Sequence, residues 1–145
     1  MYLAKYRKHS NNKNDIAAVN TPLEMKNKSI KIFVPASSAN LGAGFDVVGA
    51  CLDIWNEIKI TEEKFSIDIE GYGSKSISKN KDNLIYKSYL KTSEIHGFKE
   101  KEISIQCNNS IPISGGLGSS SSAVIAGIYA AYAINKIEIN TDDIF

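Results

Sequence analysis

Apolar and polar residues first alternate at Ile30, Ile32 and Val34, with Lys31 and Phe33 between them. This period of two predicts a strand that starts near Ser29 and stops at Pro35. After a Ser/Gly-rich loop, Val47–Leu52 is apolar, and Ile54, Ile58 and Ile60 then share a parity opposite Trp55, Glu57 and Lys59. Ser66–Glu70 alternates around Ile67 and Ile69 until Gly71 and Gly73 interrupt it. The next segment changes period. Ile85 with Tyr89 and Tyr86 with Leu90 are i,i+4 pairs among polar Lys87, Ser88, Lys91 and Thr92, which predicts a helix. Asp82 or Asn83 can cap it by accepting from an orphan amide, and Gly97 ends it just after Ile95. Ile103, Ile105 and Cys107 alternate with Glu102, Ser104 and Gln106, giving another strand. A loop from Asn108 to Gly118 leads into Ala123–Ile134, which is apolar nearly all round and so predicts a central buried helix. Strands, helix, strand, helix: the order implies an α+β layer. Thr141, Asp142 and Asp143 look like the start of a further helix, so the chain is expected to be cut short at Phe145.

Residues 1–28 carry no sustained period. Lys5, Arg7, Lys8, Lys13, Lys26 and Lys28 outnumber Asp15 and Glu24, and five asparagines add polarity. A disordered tail is expected there, with residues 29–145 forming one domain. A plastid-type transit segment is the lesser alternative, since such segments favour Arg and Ser and avoid acids. Over all 145 residues, 17 Lys and Arg balance 16 Asp and Glu, which gives no electrostatic case for nucleic acid as a partner. No apolar run approaches the ~20 residues of a membrane span, and a cytoplasmic protein is expected. Cys51 and Cys107 lie in apolar stretches without metal-ligand spacing and read as buried structural thiols. His9 and His96 have no neighbour that would make either a ligand or a base.

Two loops carry candidate chemistry. The second along the chain is Ile111-Pro112-Ile113-Ser114-Gly115-Gly116-Leu117-Gly118-Ser119-Ser120-Ser121-Ser122, set between a strand and a buried helix. Its glycines permit close backbone approach and positive φ, so successive N–H groups can line a concavity. The helix that follows adds unpaired amides and a dipole that favour an anion. Its serine hydroxyls can hydrogen-bond phosphate or reach Mg²⁺ through oxygen. No Lys follows the final glycine, so this is not a Walker A loop, and it lacks both G-x-G-x-x-G and the nucleophile elbow.

The first loop is Val34-Pro35-Ala36-Ser37-Ser38-Ala39-Asn40-Leu41-Gly42-Ala43-Gly44-Phe45-Asp46. Asn40 offers donors and an acceptor, and ionised Asp46 only accepts. The pair suits a substrate bearing an ammonium and a hydroxyl, although Asn and Asp in such a loop also serve as turn formers.

Residues 35–46 resemble the N-terminal signature of homoserine kinases, and Pro112 to Ser122 resembles the phosphate-binding signature of the GHMP superfamily. Galactokinases and mevalonate kinases share the second loop but have a different first one, typically with Gly-Glu-His, which is absent here. Asp82-Asn83-Leu84-Ile85 resembles the segment near the adenine in this family. The likeness covers roughly residues 30–140. Ala43 stands where the family usually has Pro, and Ser121 and Ser122 replace a common Ala pair.

The resemblance implies a GHMP kinase N-terminal domain, of the ribosomal protein S5 domain 2-like type, with a mixed sheet packed against helices. It implies transfer of the γ-phosphoryl of ATP to L-homoserine. Pro112, Ile113, Ser114, Gly115, Gly116, Leu117, Gly118, Ser119, Ser120, Ser121 and Ser122 would hold the phosphates, and Asn83 would lie beside the adenine. Ser120 would bind Mg²⁺, while Asn40 and Asp46 would hold homoserine. The expected partners are L-homoserine and ATP, with neither nucleic acid nor membrane, and a homodimer is an option for the full-length protein. The family's second domain, with further substrate-binding residues and a metal-binding acid, would lie beyond Phe145. This fragment alone is therefore expected to be inactive. The rival readings are a GHMP kinase for another small alcohol and a non-catalytic nucleotide-binding module.

Overall fold

The computed structural model describes residues 15–17, 29–39, 41 and 48–139. Five strands form one mixed sheet: β1 (Asp15–Ala17), β2 (Ser29–Ala39), β3 (Gly49–Thr61), β4 (Ser66–Gly71) and β5 (Ser104–Asn109), in the order β1-β2-β3-β5-β4. The pairs β2–β3 and β3–β5 are antiparallel, whereas β1–β2 and β4–β5 are parallel. Two helices, α1 (Leu84–His96) and α2 (Ser119–Ile134), complete the described residues. None of the helices is long and apolar enough to cross a membrane.

The alternation seen in the sequence is what builds the core. In register, Ile30 faces Ile60 and Ile32 faces Ile58, Ile58 and Ile60 face Cys107 and Ile105, and those face Ile69 and Ile67. All eight are buried. They form rows on one side of the sheet, where α2 packs on β2 and β3 and α1 packs on α2. From Ser122 to Ile134 no residue of α2 is exposed, as expected of a helix apolar nearly all round. The two helices meet at Gly127. A Cβ there would fall 2.4 Å from the carbonyl oxygen of Ile85 and 2.5 Å from Cβ of Ser88, so only glycine permits this approach.

Asn83 caps α1, its side chain accepting from the Ile85 amide at 2.9 Å, and Gly97 closes the other end in the left-handed conformation. At the C-terminus of α2, Lys101 donates to the Ile134 carbonyl at 3.0 Å while pairing with Glu62 at 3.1 Å. A cation against the orphan carbonyls suits that end of the dipole.

Three expectations change. Pro35 does not stop β2, because the register shifts between Pro35 and Ala36 and the strand continues to Ala39; a bulge is where a residue without an N–H can sit inside a sheet. Ile54, grouped with Ile58 and Ile60, is exposed, because the same irregularity places two extra residues on β3 between Leu52 and Trp55. Cys51 is exposed rather than buried, although Cys107 is buried as expected. Asp15–Ala17, inside the segment expected to be disordered, pair with β2 through the main chain. The rest of residues 1–28 and Thr141–Asp143 lie outside the described residues.

Candidate functional site

β5, an inner strand of the sheet, ends at Asn109, and α2 begins at Ser119. Ser114, Gly116 and Gly118 have φ of 61°, 67° and 74°, with negative-φ residues between them. Such alternation turns successive N–H groups toward one concave side. Ser114, Gly115, Gly116, Ser120 and Ser121 are exposed. Gly118 precedes α2 in the left-handed conformation and supplies no side-chain cap to it. The first-turn amides of α2 therefore keep their donor capacity, and the dipole adds positive character at the same place. No charged side chain occurs from Ser110 to Ser122. An anion held here is held by amides, hydroxyls and the helix end, with no lysine as a point charge.

The first loop touches the second at its base. The Ser37 amide donates to the Leu117 carbonyl at 3.0 Å. A Cβ on Gly118 would fall 2.4 Å from Oγ of Ser37 and 3.1 Å from its carbonyl oxygen. Asn40 and Asp46 lie outside the described residues.

Asn83 is buried, and both polar atoms of its side chain have a partner within the fold. Its Oδ1 accepts from Ile85 and its Nδ2 donates to the Ser78 carbonyl at 2.8 Å. Any contribution of this segment to a ligand therefore comes through backbone or neighbours. The turn it anchors does reach the glycine-rich loop, since the side chains of Ile77 and Ile113 both converge on Gly73.

Ser122, expected among the phosphate-binding residues, is buried, and its hydroxyl donates to the Ser119 carbonyl at 2.8 Å. It also accepts from Nδ2 of Asn56 at 3.2 Å. Ser122 therefore supports the loop from beneath and does not face solvent with Ser120 and Ser121. Asn56 was not singled out in the sequence. It is a buried amide in the apolar row of β3, opposite Val34.

The titrations displaced from their ordinary values belong to the core. Burial, with Asp68 adding to it, pushes the Cys107 thiol up to about 12. Burial also raises Tyr86, Tyr89 and Tyr129. His96 is remote from the loop in its contacts, stacking on Phe98 and meeting the Tyr132 hydroxyl at 3.2 Å. Among the described residues no cluster of His, Cys, Asp and Glu could hold a metal ion. Ser120 and Ser121 carry the exposed hydroxyls on the first turn of α2.

Residues 83–145 match the family described as "GHMP kinases N terminal domain". The fold agrees: the chain superposes on a homoserine kinase from Cytophaga hutchinsonii with a TM-score of 0.69 and 29% identity, over 86% of this chain and 41% of that one. The chain carries a GHMP kinase N-terminal domain.

Curated relatives of this GHMP domain include the homoserine kinase of Aquifex aeolicus, 41% identical over 76% of this chain and 37% of that protein. The homoserine kinase of Caldanaerobacter subterraneus is 37% identical over 83% of this chain and 39% of its own length. The chain thus spans about two fifths of the relatives it matches. The family match takes in the capped start of α1 at Asn83, the glycine-rich loop and all of α2.

Proposed function

We propose that this chain supplies the nucleotide-phosphate site, and one side of the acceptor site, of a kinase that phosphorylates L-homoserine with ATP and Mg²⁺. The observation that carries the reading is the charge-free loop of alternating φ that leads into the N-terminus of α2, where no side chain caps the helix. Its residues fit a polyphosphate, with amides on one side and exposed hydroxyls at Ser114, Ser120 and Ser121. Mg²⁺ keeps most of its waters and takes phosphate oxygens, so one protein hydroxyl from Ser120 is a sufficient contribution from this chain.

Phosphoryl transfer asks the protein for positioning and charge stabilisation more than covalent help. The loop would fix the phosphates through Gly115, Gly116, Leu117, Gly118, Ser119, Ser120 and Ser121. Pro112 and Ile113 would flank them beside the Asn83-anchored turn, where the adenine would lie. Asn40 and Asp46 would orient the homoserine amine and hydroxyl. Homoserine is favoured over other small alcohols by the 35–46 motif and by the homoserine kinases at 37–41% identity. About three fifths of each of those relatives lies outside the match.

The test is a coupled assay of ADP release with a panel of small alcohols, using the full-length protein. ADP release that depends on L-homoserine supports the reading. Release that depends on another alcohol would assign a different kinase, and nucleotide binding without any turnover would leave a binding module.

A further inference from the structure

Building on the phosphate-site reading, we infer that Asn56 is a positioning residue that staples both ends of the glycine-rich loop to the central strand. It lies in β3, two rows from the edge of the sheet, and is 4% exposed in a row otherwise filled by isoleucines. The last in-register pair between β3 and β5 is Glu57 with Asn108. At the next rung the backbone leaves the ladder, and the Asn56 side chain takes the ladder's place. Its Oδ1 accepts from the amides of Ser110 at 2.9 Å and Ile111 at 3.0 Å.

The same side chain reaches the far end of the loop. Its Nδ2 donates to Oγ of Ser122 at 3.2 Å, and that hydroxyl passes the bond on to the Ser119 carbonyl at 2.8 Å. One buried amide therefore fixes the loop entrance at 110–111 and the first turn of α2 at 119–122. The residues between, 112–118, span the gap with no charged group and with three left-handed positions. A cradle of backbone amides works only if the amides stay aimed, and a network satisfied at every member rigidifies what it joins. Asn suits the task because it carries an acceptor with two lone pairs and a donor on one short side chain. Leucine would remove the acceptor of the Ser110 and Ile111 amides and leave the Ser122 hydroxyl only its bond to the Ser119 carbonyl.

The test compares wild type with Asn56→Ala and Asn56→Asp by two readouts: amide hydrogen exchange without ligand, and calorimetric affinity for Mg²⁺ with a non-hydrolysable ATP analogue. Asn56→Ala should accelerate exchange at the bonded amides of Ser110, Ile111 and Ser122 while β4 and the middle of α1 stay protected, and should weaken nucleotide binding by about tenfold or more. Asn56→Asp keeps the acceptor for Ser110 and Ile111 and should recover part of both, so that affinity follows the loop and not the melting temperature. If Asn56→Ala does not fold, Ser122→Ala opens the helix end alone and should accelerate exchange at residue 122, whose amide donates to the Gly118 carbonyl, with weaker binding. A folded variant with wild-type loop exchange, or with wild-type affinity, would overturn the inference. Wild-type protein that binds no nucleotide would instead refute the phosphate-site reading, and the exchange comparison alone would decide whether Asn56 orders the loop.

Discussion

Ser37 lies against Gly118 so closely that a Cβ on the glycine would fall 2.4 Å from the serine Oγ. The contact joins the start of the first motif to the residue that precedes α2 in the second, and the Ser37 amide bond to the Leu117 carbonyl holds them together. Gly118 is thus required by packing and by its φ of 74°, whatever the ligand. Gly115 is different. A Cβ there would meet Pro112 and Leu117 only at 3.8 Å or more, so the fold has room for it.

The two glycines therefore separate stability from binding. Gly118→Ala should lower the unfolding free energy by about 2–4 kcal/mol, through strain at positive φ and displacement of Ser37. Gly115→Ala should change it by less than about 0.5 kcal/mol, yet weaken Mg-ATP binding by about tenfold, because the new methyl stands on the exposed side of the loop. Chemical denaturation and calorimetry on both variants check this. Normal affinity in Gly115→Ala would place the phosphates elsewhere.

Asp46 is expected to serve the substrate. Asp46→Asn keeps its size but removes the charge that would pair with the homoserine ammonium, which should cost about 1.5–3 kcal/mol in apparent homoserine affinity. Steady-state kinetics on the full-length protein should show this with little change in KM for ATP. A collapsed melting temperature with normal residual kinetics would make Asp46 a turn former instead.

The buried ionisable groups set the alkaline limit. Burial raises the Cys107 thiol from 9.0 to about 12, and raises Tyr86, Tyr89 and Tyr129 above their ordinary 10.0. Each is neutral when protonated, so between the unfolded and folded values the unfolded chain binds fewer protons. Stability is then full below pH 9.0 and falls as pH rises toward 12. One unit above 9.0 the share of Cys107 is about 1 kcal/mol. Denaturant melts across this range, with Cys107→Ala as the flatter control, should show the slope. In the native protein at neutral pH a thiol reagent should label exposed Cys51 and spare Cys107.

Periodicity carried much of the fold. The alternation at Ile30–Val34, Ile67–Ile69 and Ile103–Cys107, and the i,i+4 pairs of α1, each predicted an element that is present. A cap at Asp82 or Asn83 was legible because an Asx before an amphipathic run has one common use, and the structure gives it to Asn83. What periodicity missed depends on pairing between distant segments. Pro35 ends a strand judged on its own, but a register shift against β3 accommodates it. β1 is made by main-chain bonds to β2 and leaves no pattern in three residues. In the site, the loop was legible from its glycines and serines, whereas the inward turn of Ser122 was not. It follows from Asn56, whose one signal was its parity: a polar residue in step with Ile58 and Ile60 must find partners inside.

The reading stands on the amides of 113–121, at the start of α2, holding the phosphates of a nucleotide. The most direct measurement is amide NMR of the isotopically labelled protein during titration with Mg²⁺ and a non-hydrolysable ATP analogue. The account predicts saturable shifts largest at Gly115, Gly116, Gly118, Ser119, Ser120 and Ser121, with Lys99–Glu102 at the opposite end of the helices unmoved. Saturable shifts that leave those six amides in place, or no shifts at all, would contradict it.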